Sequence, residues 1–102
     1  MTDPQPLFAA LADPTRRAVF ERLSAHGPAS ASRLARDLPI SRQAVAKHLA
    51  TLGDAGLVER AAVGREIRFS ARIDALDEVT GWAERVGTEW TNRLARLRQT
   101  ME

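Results

Sequence analysis

Apolar residues along the chain recur at two different spacings, and the change from one to the other divides it into elements. Leu7, Phe8 and Leu11 form a short apolar turn behind residues 1–6, whose two prolines read as a loose arm. Val19, Phe20 and Leu23 follow at helical spacing. Asp13 is placed to cap that helix, Pro14 suits its first position because no N–H is needed there, and Gly27-Pro28 ends it. Ser30 can cap the next helix, in which Leu34, Ala35 and Leu38 face inward, and Pro39 breaks it. Ser41 caps another, running to about Gly53, with Val45, Leu49 and Leu52 at i, i+4 and i+7. In "GLVERAAVGREIRFS" the period becomes that of strands around a turn at Val63-Gly64-Arg65, which predicts a β-hairpin over residues 57–70. From Ile73 the helical period returns through Leu76, Val79, Ala83, Val86, Trp90, Leu94 and Leu97 to Met101, predicting one long helix over 73–101.

The helix after Ser41 has a polar face of unusual make-up. Stepping about 100° per residue from Val45 keeps Leu49 and Leu52 within about 40° of it and sends Gln43 and Lys47 to the far side, with His48 at the edge of the apolar stripe. Two short helices across a tight break, over residues 30–53, with a capped and cationic second member, make a helix-turn-helix. The second helix of such a pair can enter a DNA major groove with its early residues at base edges. Arg42 and Lys47 suit a guanine edge or phosphates, and Gln43 suits an adenine edge through its paired donor and acceptor. Ala44, Ala46 and Ala50 let the backbone come close. The hairpin adds a wing whose tip, Gly64-Arg65, can reach the adjacent groove, with Arg60 and Arg68 as further cations on its strands. The predicted fold is mainly α with a two-stranded β wing, a single winged helix-turn-helix domain over residues 1–102.

Charge strengthens this picture where total composition does not. The net charge of +2 hides a segregation: residues 14–72 hold eleven Lys and Arg against five Asp and Glu, while both flanks are mildly acidic. A basic middle is what a polyanion partner requires. The chain has no cysteine, which removes disulfides, thiolate metal sites and cysteine nucleophiles together. "MTDPQP" lacks the basic and apolar regions of a signal peptide, and no apolar run approaches the ~20 residues that span a bilayer. The expected location is cytoplasmic, with the nucleoid. Neither His26 nor His48 comes with the base-and-orienter set that a nucleophile needs, and the six glycines are dispersed, so no enzyme is expected and no cofactor.

"LADPTRR", "SRQAVAKHLATLGDAGLVER" and "VGREIRFS" together resemble the ArsR/SmtB family of dimeric winged-helix repressors, over roughly residues 7–72. The resemblance implies DNA contacts from Ser41, Arg42, Gln43, Lys47 and the wing Arg65; His48, Arg60 and Arg68 are added from the reading of the residues. It also implies a homodimer through the terminal helices, which assigns Leu7, Phe8, Leu11, Val86, Trp90, Leu94, Leu97 and Met101 to the seam. Gly53-Asp54 stands where the family often has a basic residue, which trims phosphate contacts. Arg16 and Arg17 are expected to pair with nearby acids, with a phosphate contact as the alternative. A regulator released by an organic small-molecule effector, and a protein-binding winged helix without sequence-specific DNA binding, are the alternatives.

Metal-sensing members of that family use cysteines near the recognition helix or Asp, His and Glu on the last helix. This chain has no cysteine and no histidine beyond His48, so no metal site is expected. Zinc, nickel, copper or a chelator should leave DNA affinity unchanged in an anisotropy titration. A tenfold shift, about 1.4 kcal/mol of coupling, would reveal a site.

Overall fold

The computed structural model describes residues 3–101; residues 1 and 2 of the expected arm, and the side chain of Met101 at the end of the expected seam, lie outside the described residues. Helix α1 spans Gln5–Leu11 and α2 Pro14–His26, followed by α3 over Ala31–Asp37 and α4 over Arg42–Asp54. Each expected cap is made. Oδ1 of Asp13 accepts from the N–H groups of Thr15 at 2.8 Å and Arg16 at 3.2 Å. Oγ of Ser30 accepts from Arg33 N–H, and Oγ of Ser41 from Ala44 N–H, both at 3.1 Å. These bonds satisfy first-turn donors that have no partner inside the helix.

The end of α4 is equally determined. Gly56 takes φ 80°, and the chain reverses so that Leu57 N–H donates to Leu52 C=O at 2.9 Å and Gly56 N–H to Gly53 C=O at 3.0 Å. This pair of returning bonds is a Schellman motif, and it explains "AGLV" as a helix stop. It also drives Leu57 into the core, where it joins Val45 and Leu52 with no exposed surface. Val19, Phe20 and Leu23 of α2, Leu34 of α3 and Leu49 of α4 complete that core.

Helix α1 starts inside the segment expected to be a loose arm. Asp3 Oδ1 accepts from Gln5 N–H at 3.0 Å, and Pro4 C=O accepts from Leu7 and Phe8. Pro6 falls in the first turn, where a missing N–H is harmless, so the prolines open a helix rather than forbid one. Arg16 and Arg17 also differ from expectation. Arg16 donates to the carbonyls of Ala10 at 2.6 Å and Ala9 at 3.3 Å, and Arg17 to that of Leu11 at 3.1 Å. Their partners are the free carbonyls at the end of α1, not carboxylates, which locks α1 onto α2.

The wing consists of strands β2, Val58–Val63, and β3, Glu66–Ala71, numbered after a two-residue strand β1, Ala29–Ser30. Gly64 takes φ 64° and Arg65 a negative φ, the pattern of a two-residue hairpin turn with glycine first. β1 pairs antiparallel with β3, Ala29 opposite Phe69 and Ser30 opposite Arg68, so the sheet has three strands in the order β1-β3-β2 rather than two. Two residues carry no periodicity, which is why this strand is silent in the sequence. It ties the wing base to the start of α3.

Ile73–Leu76 form a 3₁₀ turn, and α5 runs from Asp77 to Met101. The long helix is therefore one turn shorter than expected. Ala75, Leu76 and Val79 pack against the core, and Phe8 meets Trp82 edge-on at 5.1 Å between ring centroids. Beyond Trp82 the helix leaves its own domain. The radius of gyration is 18.2 Å, against about 13 Å for a compact chain of this length.

Asp37 at the end of α3 joins two arginines: Arg22 of α2 at 2.7 Å and Arg33 at 3.2 Å. The Arg22 hydrogen bond first, and Arg33 after it, hold the Asp37 carboxyl below its ordinary value of 3.8. A carboxylate lowered in the folded state contributes stability above its unfolded value and loses it as pH falls through the folded one. Asp37→Asn should lower the urea midpoint at neutral pH and flatten its decline below about pH 5. An unchanged acid limb in the variant would remove this clamp from the stability of the fold.

Candidate nucleic-acid interface

Because Val45, Leu49 and Leu52 face the core, α4 turns Gln43, Lys47 and Asp54 outward in one row, all three exposed. Arg42 stands at the start of the same helix, on the side nearer the wing. Ser41 serves first as the cap of α4, its Oγ already accepting from Ala44 N–H. The helix therefore offers an amide, with its paired donor and acceptor, and an ammonium on a surface otherwise of small residues.

Strand alternation decides which wing arginines join them. Arg60 lies opposite Phe69 and shares its face of the sheet, the one turned to the helices. Arg42, Arg60 and Arg65 line one groove of about 370 Å³ with Ser30 and Ser32 at its far wall. None of the three, nor Lys47, forms an ion pair among the described residues. Arg68 lies opposite Ala61 on the other face and is bridged to Glu66 at 3.1 Å. The two strand arginines are thus separated by the sheet. Ser32 was not singled out from the sequence; its place in the first turn of α3, two residues past the Ser30 cap, is the signal that marks it.

A second groove, of about 750 Å³, continues from the first along the wing-facing side of α4. Ala31, Arg60 and Phe69 border both. Ala46, Ala50 and Gly53 give it a smooth wall, and its far end carries Asp54 and Glu59. The two grooves form one trough, with three arginines and Glu66 near the wing tip and two acids, Asp54 and Glu59, at the foot of α4.

His48 points elsewhere. It is half-buried, with Nδ1 enclosed and without a hydrogen-bond partner. It stands near enough to Asp13 to add to the lowering of that carboxyl's pKa, an effect led by the Arg16 backbone N–H. Its place is between α4 and the start of α2, away from the trough. Among the described residues no three His, Asp or Glu come together in a way that would hold a metal ion.

The residues expected in a seam divide likewise. Leu7 is only 3% exposed and belongs to the core of its own chain, so it offers nothing further to a partner. Phe8 and Leu11 are partly covered. Trp90, Leu94 and Leu97 are about half exposed, at 54%, 48% and 53%, and Val86 is exposed beside them. The Arg93 guanidinium lies 5.0 Å from the Trp90 ring centroid, a cation–π contact on the same stripe.

A capped helix-turn-helix, a short sheet with a projecting wing and a long terminal helix define a winged helix-turn-helix protein. A family model described as a helix-turn-helix domain matches residues 11–61. An ArsR-like transcriptional regulator from Rhodococcus sp. RHA1 superposes with a TM-score of 0.85 at 47% identity, covering 96% of this chain and 92% of that one. The crystal structure of another ArsR family transcriptional regulator superposes at 0.76 with 34% identity, covering 85% of this chain and 94% of that one. The HTH-type transcriptional regulator Rv2034 of Mycobacterium tuberculosis is 58% identical over 55 residues, which cover 54% of this chain and 50% of Rv2034. This chain thus spans about half the length of that curated relative. The chain belongs to the ArsR family of helix-turn-helix transcriptional regulators. No helix among the described residues is long and apolar enough to cross a membrane.

The sheet faces generate a sharp contrast between two arginines on neighbouring strands. Arg60→Ala should weaken binding to duplex DNA and reduce the salt slope by about 1. Arg68→Ala should change affinity less than twofold at moderate salt, since its charge is already opposed by Glu66. Equal losses in the two variants, measured by anisotropy, would contradict the facing of the trough.

Proposed function

We propose that the protein is a homodimeric transcriptional repressor that binds a near-palindromic promoter site and occludes it. The observation that carries the reading is the trough at the wing, where Arg42, Arg60 and Arg65 outnumber Glu66 and form no ion pair among the described residues, beside the outward Gln43 and Lys47 of α4. Cations without partners, around a groove beside a helix of small residues, suit a phosphate backbone with base edges next to it. In this reading Gln43 reads a base, Arg42 a base or a phosphate, and Lys47, Arg60 and Arg65 hold the backbone. Ser41 supports the helix start, and His48 buttresses α4.

Dimerisation rests on α5. Its exposed stripe of Val86, Trp90, Leu94 and Leu97 would be an association liability on a monomer and is an interface when a second copy covers it. Charge favours an antiparallel partner. Residues 77–89 hold four acids and one base, whereas residues 90–101 hold three bases and no acid. An antiparallel pair sets each acidic half beside a basic one, and a parallel pair sets like against like. Two recognition helices would then meet DNA about one turn (~34 Å) apart, or a multiple of it.

Titration against the DNA upstream of the protein's own gene, at several salt concentrations, tests the reading. A steep salt dependence with clear preference over random duplex is expected, and equal binding to both would favour a protein-interaction role. A small organic effector would appear as release of bound DNA by an added compound. Leu94→Arg should shift the protein toward monomer in sedimentation and sharply reduce affinity for that DNA. A wild type that sediments as a monomer at micromolar concentration while binding its site tightly would sink the dimer.

A further inference from the structure

The trough beside α4 is walled mainly by small and apolar residues, and of the two acids at its far end Glu59 is paired with Arg72 while Asp54 is not. Asp54 is the last residue of α4, exposed, and without an ion pair among the described residues. The nearby Arg72 is engaged by Glu59 at 3.4 Å and Asp74 at 3.5 Å, so it leaves Asp54 uncompensated. A carboxylate there also opposes the helix macrodipole, whose negative end lies at the C-terminus. The residue thus works against the stability of its own helix.

Its position suggests what it does instead. Gln43, Lys47 and Asp54 fall on one face of α4, and Asp54 lines the same trough as Arg60. A phosphate backbone drawn in by Arg42, Arg60 and Arg65 would meet a fixed negative charge on moving toward the foot of α4. We propose that Asp54 is an electrostatic stop in the DNA-binding trough, confining the phosphate backbone to the wing end and limiting sequence-independent affinity. This rests on DNA being the partner. Sequence-independent binding is almost wholly electrostatic, so one like charge beside the backbone weighs on it directly. Glu59, at the same end, contributes less because Arg72 opposes it.

A mixed-sequence duplex of about three helical turns serves as the probe, in anisotropy titrations on the full chain at low and moderate salt. Asp54→Asn should tighten binding by roughly two- to fivefold at low salt, with the gain fading as salt rises. Asp54→Lys should tighten it by more than about tenfold and steepen the salt slope by about 1. Glu21→Gln, exposed on α2 outside the trough, is the control for net charge. Thermal unfolding of both Asp54 variants should show an equal or higher midpoint, since the changed residue suits a helix C-terminus better. If both variants unfold later but bind as wild type does, or gain no more than Glu21→Gln, the stop is disproved while the DNA reading stands. If wild type itself binds no duplex even at low salt, the DNA reading falls and the stop falls with it.

Discussion

Val45, Leu49 and Leu52 hold α4 against its neighbours, and that seating sets the rotation of the helix about its own axis. With those three covered almost completely, the roughly 100° step between residues leaves Gln43, Lys47 and Asp54 no choice but to face outward. Leu57 reinforces the arrangement from the other end. The Schellman turn at Gly56 brings it back under the helix, and strand β2 starts one residue later. A truncation at any of these leucines would cost about 2–5 kcal/mol, and it would also free the helix to rotate. Stability and the presentation of polar groups are here the same packing problem.

Around that core, polar groups are used chiefly to close helix ends. Asp13, Ser30 and Ser41 close N-termini, Gly56 closes a C-terminus, and Arg16 and Arg17 close the C-terminus of α1 from the next helix. Each bond answers a backbone group that would otherwise be left without a partner. Among the cations not used in this way, Arg42, Arg60 and Arg65 line one groove at the wing. The contrast separates structural arginines, with carbonyl or carboxylate partners, from Arg42, Arg60 and Arg65, which have none among the described residues. The same sorting leaves Asp54, alone of the acids lining the trough and its wing end, without a structural partner among the described residues.

Helix α5 obeys a different constraint. Its first turns are bound to the domain by Val79 and by Trp82 against Phe8, and the remainder extends as a ridge with one apolar side. An isolated helix gains little stability from propensity alone, so a ridge of this length calls for packing that its own domain does not provide. Gly81 and Gly87 sharpen the point. A Cβ at Gly87 would meet nothing within 4 Å, and one at Gly81 only a flexible Arg85 side chain at 3.4 Å. Neither glycine marks a close approach within the chain.

Local chemistry was enough, from the sequence alone, for elements whose signals are short-range. The caps at Asp13, Ser30 and Ser41, the break at Pro39, the turn at Gly64-Arg65 and the core face of α4 each depend on residues within about two turns of one another, and all are found in the fold. The outward placement of Gln43 and Lys47 followed from the same periodicity. What remained hidden depends on residues distant along the chain. Strand β1 exists because Phe69 and Arg68 of β3 reach Ala29 and Ser30, and two residues have no pattern of their own. Arg16 and Arg17 found carbonyls rather than acids because α1 folds back onto α2, and Leu7 became core for the same reason. Arg60 and Arg68 looked equivalent until strand pairing assigned them to opposite faces, which put one beside Arg42 and Arg65 and the other against Glu66. Periodicity reports which face of an element is apolar; only packing between elements decides what each polar face meets.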